Sequence, residues 1–280
     1  MNPRRLTALA RFVALNPSTV VEALKWRTTL WRLSSGFFSL PVISGTVQNG
    51  AIAVVMCLWN RPSRIGVILR QLDEQDSPRR IRLVLWNNNL GDNRHYREEI
   101  ERYALTGSLA SVELHTSRWN VGGLARFILA RRLLKTGYAG TFIMLDDDQN
   151  LESTVIATLL SHAAPQRING WWAFNNRTSY WDREAVADGA PADHVGTGGC
   201  AVDIAIVQSQ RFFTRLPRRY AFLEDQWMCW YARTQGWSIQ KTAVGITAVM
   251  EESNQYHGLV TLKDEFWRHL NSLDRTAAAH

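Results

Sequence analysis

A chain of 280 residues has room for one large domain or two small ones, and 46% hydrophobic residues with 12 tryptophans indicate a globular protein with a substantial core. Three widely spaced cysteines without a CxxC pair exclude a paired-cysteine zinc site and a disulfide framework, so we expect a reducing, cytoplasmic setting. The net charge of +7 is uneven, because residues 1–48 hold six Lys and Arg residues and a single Glu.

Residues 1–48 are predicted to form a basic helical extension. Its aromatic residues are Phe12, Trp26, Trp31, Phe37 and Phe38. Cations interleaved with aromatics suit an anionic membrane surface. An amphipathic helical pair packed on the domain, with its arginines in solvent, explains the same pattern, and we prefer that explanation. No apolar run reaches the roughly 18 residues that cross a bilayer, so any contact would be peripheral, at the inner face of the membrane.

Residues 49–150 alternate between predicted strands and predicted helices. Strands are expected at residues 51–58, 81–86, 111–115 and 142–145, and helices from Pro62, at 96–105 and at 123–136. This alternation predicts an α/β domain with a mostly parallel central sheet flanked by helices. Ligands of such sheets bind beyond the carboxyl ends of the strands, which is where this sequence places its polar clusters.

Residues 151–280 are less regular. We predict helices at 151–161 and 223–235, an aromatic strand at 170–175 and a helix at the C-terminus. The glycine-rich loop Gly196-Thr-Gly-Gly199 lacks the Lys-Ser/Thr ending of a phosphate-binding P-loop, so we interpret it as a sharp turn.

The fourth predicted strand ends in the triplet Asp146-Asp-Asp148. Carboxylates at the end of a buried strand need cations or water, because burying an unpaired charge costs several kcal/mol. On an extended backbone Asp146 and Asp148 share a face, an arrangement that suits a hard divalent cation, whereas Asp147 points elsewhere. Considered alone, the triplet is explained equally well by a solvated Asp-rich turn.

Four further motifs or single residues could complete a site. Asn120-Val-Gly-Gly-Leu-Ala-Arg126 opens a helix, where free N–H groups and the dipole favour an anion such as a diphosphate. Asn88 offers a donor and an acceptor to the edge of a nucleobase, although an Asn-rich turn is the better explanation of Asn88 considered alone. Glu224 and Asp225 open a later helix, either as dipole partners or as a general base. His257 is either a third metal ligand or a surface histidine.

The ordered motifs resemble those of glycosyltransferase family 2 over about residues 50–260. They are Val54-Val-Met-Cys-Leu-Trp-Asn-Arg-Pro62, Trp86-Asn-Asn88, Asn120-Val-Gly-Gly123, Leu145-Asp-Asp-Asp148 and Leu223-Glu-Asp225. The resemblance implies the Rossmann-like GT-A fold, a nucleoside-diphosphate sugar donor with a UDP-sugar favoured, Mn²⁺ or Mg²⁺, and inversion at the anomeric carbon. It implies a hydroxyl acceptor, such as a glycan, a lipid-linked sugar or a small molecule, and no nucleic acid.

The resemblance also implies a role for each matching residue. Residues 49–150 would form the nucleotide-sugar-binding half, and residues 151–280 the acceptor-binding and catalytic half. Asp225 would be the base and Glu224 would position the acceptor. The metal ligands would be Asp148, with Asp146, and His257. The donor would be held by Cys57, Trp59, Arg61, Asn88, Asn120, Gly123, Arg126, Asp146 and Asp147.

Other functions stay open at this point. Asn88 stands where the family more often has Asp, and Trp86-Asn-Asn88 is also similar to exostosin-like GT-A transferases, which retain configuration. A nucleotidyltransferase shares the α/β architecture and the metal carboxylates. A noncatalytic carbohydrate-binding protein would use its aromatics alone, but it would not need the acids at 146–148 and 224–225. Trp171, Trp172 and Trp181 could stack on sugar rings or belong to the core.

Overall fold

The computed structural model describes residues 17–249 and 259–278. The strands are Val42–Gly45 (β1), Ile52–Leu58 (β2), Ile81–Asn87 (β3), Leu109–Thr116 (β4), Thr141–Asp146 (β5), Gln149–Leu151 (β6), Arg167–Gly170 (β7), Ala173–Asn176 (β8), Arg183–Ala185 (β9), His194–Val195 (β10), Cys200–Asp203 (β11), Ser238–Lys241 (β12) and Ile246–Ala248 (β13). Eight of these strands form the central sheet, in the order β1-β4-β3-β2-β5-β11-β7-β12.

The middle of this sheet is parallel. Strand β2 pairs in parallel with β3 and β5, and β3 pairs in parallel with β4, whereas β11 runs antiparallel to both β5 and β7. All seven residues of β2 are buried, as expected for a parallel strand covered on both faces. The predicted α/β class with a mostly parallel central sheet is confirmed.

Helices cover both faces of the sheet. They are Pro17–Ser34 (α1), Ile65–Asp73 (α2), Asn93–Arg102 (α3), Leu124–Lys135 (α4), Val155–Ser161 (α5), Arg211–Thr214 (α6), Glu224–Thr234 (α7) and Val260–Ala278 (α8). The β2 residues Val54 and Met56 pack in the core beneath α2, α3 and α5, whereas the alternate residues Val55 and Cys57 pack in the core beneath α4 and α7. Successive side chains of the strand point to opposite faces of the sheet, so they pack in two separate hydrophobic cores.

The helix predicted at 96–105 lies three residues earlier, at Asn93–Arg102. Two further predicted elements differ from the observed ones. The helix predicted at 151–161 begins only at Val155, because residues 149–151 form β6 and pair with β13. The strand predicted at 170–175 is broken after Gly170, where a Cβ would lie 2.7 Å from the side chains of Val195 and Cys200. In both cases a partner distant in sequence decides the local structure.

The segment that precedes β2 packs on the domain. Leu30 of α1 is buried in the core, and Trp26 and Leu33 pack against it. The Arg131 guanidinium of α4 donates to the Ser34 carbonyl at 3.2 Å, and β1 is an antiparallel edge strand on β4. Across the described ranges, no helix combines the length and the hydropathy that a bilayer crossing demands.

Candidate functional site

A cavity of about 430 Å³ opens at the carboxyl ends of β2, β3 and β5. These strands are parallel neighbours, so the residues that follow them converge at one edge of the sheet. The predicted site residues that line this cavity are Cys57, Trp59, Arg61, Asn88, Asn120, Gly123, Arg126, Asp146, Asp147, Asp148, Glu224 and Asp225. His257 lies outside the described residues.

The aspartate triplet reaches the cavity through a turn. Strand β5 ends at Asp146, and the chain turns at Asp147 and Asp148 before β6 begins. Asp147 is buried, and its carboxylate accepts hydrogen bonds from the Trp59 N–H at 2.9 Å and from Arg61 at 3.1 Å. Asp146 and Asp148 keep partly exposed side chains at the cavity wall. Asp147 therefore differs from its two neighbours in burial, and residues 147 and 148 form a turn where an extended backbone was expected from the sequence.

Burial and neighbouring charges shift the pKa values of Asp147 and Asp148. Burial raises the pKa of Asp147 to about 6, although the Trp59 N–H and Arg61 favour its charged form. Burial and the adjacent charge of Asp146 raise the pKa of Asp148, and the Arg61 guanidinium, 3.3 Å away, opposes that shift. The carboxylates thus repel one another, and an additional cation would relieve the repulsion.

The raised pKa of Asp147 predicts a pH-dependent stability. The pKa rises from 3.8 to about 6 on folding, so the contribution of the neutral form is complete below about pH 4. This contribution is lost as the pH rises through 6. We expect the melting temperature of the wild type to fall, relative to that of Asp147→Asn, across this window. Thermal unfolding at several pH values tests the difference, and parallel curves would contradict it.

Arg126 is a fixed cation between the triplet and helix α7. Its buried guanidinium forms an ion pair with Asp146 and donates to Glu224 Oε1 at 3.2 Å and to Thr197 Oγ1 at 3.3 Å. Burial alone would lower the pKa of Arg126, but the charge of Asp146 first, and that of Glu224 as well, raise it. The side chain therefore stays charged beside the cavity.

Two glycines allow helix α7 to approach the start of α4. A Cβ on Gly123 would lie 1.6 Å from Glu224 Oε1, and a Cβ on Gly122 would lie 2.4 Å from the Phe222 ring. Gly122 also has φ +60°, which side-chain-bearing residues rarely adopt. The groups that approach these two glycines within the chain are Phe222 and Glu224.

Gly123→Ala should therefore displace the Glu224 carboxylate and disturb its contact with Arg126. We expect a loss of roughly 1–3 kcal/mol in the free energy of unfolding, as for other overpacked sites. Gly66→Ala is the matched control, because its added Cβ meets no atom within 4 Å inside α2. Chemical denaturation of both variants tests this, and equal stabilities would argue against the steric conflict.

The acids at the start of α7 differ in environment. Burial raises the pKa of Glu224 to about 7, with Arg126 opposing and Asp225 adding to the shift. Burial would also raise the pKa of Asp225, but the hydrogen bond and charge of His194, with Lys263, lower it to about 2. The side chain of Asp225 is 22% exposed and that of Glu224 only 9%. Asp225 is therefore ionised and open, whereas Glu224 is enclosed.

Sequence reasoning missed three residues of this site. His194 Nε2 lies 3.4 Å from Asp225 Oδ2, and its ring stacks on Phe174 at 4.6 Å. Lys263 of α8 and Thr197 line the cavity. A single histidine on a two-residue strand has no sequence signal. Thr197 lies in the glycine-rich loop, which packs so closely that a Cβ on Gly198 would sit 2.0 Å from Asp146 Oδ2.

Asn88 and Cys57, both predicted to contact the nucleotide-sugar donor, form hydrogen bonds within the chain. The Asn88 amide oxygen accepts from the Trp86 indole N–H and from the Val121 N–H, both at 3.1 Å, and its NH₂ group donates to the Gly122 carbonyl. Asn88 thus connects β3 to the start of α4, and its further capacity toward the cavity is that of a donor. Burial raises the pKa of Cys57 to about 12, so its thiol is neutral.

The tryptophans proposed to stack on sugars lie beside the cavity. Trp172 and Trp181 are exposed, whereas the Trp171 indole N–H donates to the Gly198 carbonyl. The Trp181 indole N–H donates to the Val260 carbonyl at 3.2 Å, at the start of the helix that supplies Lys263. In the part of the chain that the structure describes, the cavity lining includes none of the three.

The lining suits a hard divalent cation. Among the described lining residues, five acids face three bases, namely Arg61, Arg126 and Lys263. Residues 17–249 and 259–278 contain no group of three His, Cys, Asp or Glu placed to hold a metal. Asp146 and Asp148 nevertheless present oxygen donors to the cavity, and Mg²⁺-like ions bind through one or two carboxylates plus water and substrate phosphates. The residues present therefore fit such an ion.

Comparison with known proteins identifies the fold. No model of a known protein family matches the sequence, and no curated protein matches it. The structure is similar to that of a mannosyltransferase from Pyrobaculum calidifontis, solved in complex with GDP-Man and Mn²⁺. The match covers 89% of this chain and 70% of the mannosyltransferase chain, with a TM-score of 0.52 and 14% sequence identity. The chain has a glycosyltransferase fold. A match to the apo structure of the bifunctional glycosyltransferase WbbM covers 72% of this chain and 40% of the WbbM chain, with a TM-score of 0.41 and 10% sequence identity.

The glycosyltransferase fold agrees with the family resemblance seen in the motifs. The expected mostly parallel sheet is present, and its central strands carry the motif residues at their carboxyl ends. The cavity at this edge therefore lies where α/β folds bind their ligands.

Proposed function

We propose that the protein is a metal-dependent glycosyltransferase, which moves a sugar from a nucleoside-diphosphate sugar to an acceptor hydroxyl with inversion. The observation that carries the proposal is that one cavity of a glycosyltransferase fold contains an ionised, accessible Asp225 and the carboxylates of Asp146 and Asp148. A base and a cation site that line the same cavity are what this transfer requires.

The donor would occupy the side of the cavity nearest β2 and β3. Trp59 and Asn88 would flank the nucleoside, and Arg126 would lie at the diphosphate and the sugar. A UDP-sugar is favoured by the family resemblance. A divalent cation held by Asp146 and Asp148 would, when bound, neutralise negative charge on the departing nucleoside diphosphate.

Asp225 would act as the general base. The acceptor oxygen attacks the anomeric carbon, the bond from that carbon to the diphosphate oxygen breaks, and the hydroxyl proton passes to an Asp225 carboxylate oxygen. His194 and Lys263 keep Asp225 ionised before the reaction. Glu224 has a pKa closer to neutrality, but its carboxylate is held by Arg126 and is less accessible, so we assign it to positioning.

The acceptor would approach from the side of α8. Leu259 and Lys263 line the cavity there. Trp181 is bonded to the start of the same helix, so its exposed ring could stack on an acceptor sugar. This arrangement suits a glycan, a lipid-linked sugar or a small hydroxyl compound.

A thermal-shift panel tests the proposal. We expect one nucleoside diphosphate, and its nucleotide sugar, to raise the melting temperature by roughly 5 °C at 100 times Kd in the presence of Mn²⁺ or Mg²⁺. A shift only with nucleoside triphosphates would indicate a nucleotidyltransferase. The absence of a shift with every nucleotide would reject the proposal, and NMR of the product anomer would decide between inversion and retention.

A further inference from the structure

Helix α1 carries apolar side chains on two faces. Trp26, Leu30 and Leu33 pack against the domain core. On the outer side, Leu24 and Trp31 are 58% and 63% exposed. Phe37, three residues beyond the end of the helix, is 79% exposed. The spacing of seven residues between Leu24 and Trp31 places both side chains on one stripe of the helix. Large exposed apolar groups that cluster in this way mark an interaction surface.

Cations surround this stripe. A concavity of about 650 Å³ on the surface is lined by Leu24 and Trp31 together with Arg27, Arg215 and Arg218. Arg215 and Arg218 come from the segment 208–219, which includes four arginines and no acid.

Acids do not neutralise most of these cations. Residues 17–48 contain a single acidic residue, Glu22, which pairs with Arg218 at 3.3 Å. Within the described ranges, Arg27, Arg32 and Arg215 form no ion pair. The surface therefore combines exposed aromatics with guanidinium groups that have full capacity for phosphate contacts.

We propose that this surface docks on an anionic lipid bilayer. It is formed by Leu24, Trp31 and Phe37 with Arg27 and Arg32, and we call it the α1 face. The apolar side chains enter the acyl boundary, and the guanidinium groups stay at the level of the lipid phosphates. An apolar protein partner would account only for the exposed stripe. A bilayer with anionic headgroups accounts for both the stripe and the surrounding positive charge. The proposal does not depend on the transfer reaction.

Vesicle co-sedimentation of the full chain tests this docking. We expect the protein to pellet with phosphatidylglycerol–phosphatidylcholine vesicles, to stay in solution with pure phosphatidylcholine vesicles, and to be released by high salt. Failure to pellet with anionic vesicles, or equal pelleting with neutral ones, would overturn the proposal. Sedimentation of the protein without vesicles detects self-association, and a dimer lost with the same variants would also overturn it.

Matched variants locate the surface. Trp31→Ser with Phe37→Ser should lower the vesicle partition coefficient about tenfold, whereas Leu90→Ser, another exposed apolar position, should leave it unchanged. Arg27→Glu with Arg32→Glu should abolish the preference for anionic vesicles, and Arg94→Glu, on the exposed side of α3, should not. Because all these positions are exposed, unchanged melting temperatures confirm folding, and equal loss of binding in test and control variants would contradict the assignment.

Discussion

Asp225→Asn should lower kcat by roughly a thousandfold, the usual contribution of a positioned general base, and leave donor binding nearly unchanged. The amide has the size of the carboxylate but cannot take up the proton of the acceptor hydroxyl. Donor binding should persist because Asp225 interacts with His194 and Lys263 and is not among the residues assigned to the donor or the cation. Steady-state kinetics with the donor identified by thermal shift gives kcat, and calorimetry gives the donor affinity.

Glu224→Gln is the comparison that separates the roles of the two acids. Glu224 bonds to Arg126, which also pairs with Asp146, so its replacement should weaken donor binding as well as turnover. A split in which Asp225→Asn affects kcat alone and Glu224→Gln affects both constants supports the assignment. Unchanged turnover in Asp225→Asn would remove Asp225 from the role of base.

Asp148→Asn should abolish the gain in donor affinity that Mn²⁺ gives to the wild type. A lost carboxylate ligand worth about 2.8 kcal/mol corresponds to roughly a hundredfold in the dissociation constant. In the presence of EDTA the same variant should bind the nucleotide at least as well as the wild type, because one negative charge has left the cavity.

Calorimetric titrations with and without Mn²⁺ measure both effects of Asp148→Asn. Asp147→Asn is the matched control, because Asp147 is buried against Trp59 and Arg61 and should keep the metal-dependent gain. An undiminished gain in Asp148→Asn would exclude Asp148 as a metal ligand.

The sequence predicts those parts of the fold and site that depend on local pattern. Strand β2 is a continuous apolar run, and Asn88 and Asp146 follow or end parallel strands, so their convergence follows from the α/β pattern alone. Helix α4 was predicted within one residue at each end, because its apolar positions and its leading glycines are adjacent in sequence.

Contacts between distant segments were beyond sequence reasoning. Arg126 and Glu224 are 98 residues apart, and their contact depends on how α4 and α7 pack. Residues 149–151 form a strand because β13 pairs with them, although the following apolar residues favour a helix. His194 reaches Asp225 from a strand of two residues, too short to give a periodic signal. In each case tertiary structure overrides local preference.

If the cation and the donor bind as proposed, the arginine contacts of the triplet would make them mutually dependent ligands. Arg126 is bonded to Asp146, and Arg61 to Asp147 and Asp148. A cation that arrives alone meets these guanidinium groups, and a diphosphate that arrives alone meets the carboxylates. When both arrive, phosphate can replace carboxylate as the partner of arginine, and the carboxylates can turn to the metal. Thermodynamic reciprocity then requires that each ligand tighten the other by the same factor. The cavity would thus respond to the pair and only weakly to either ligand alone.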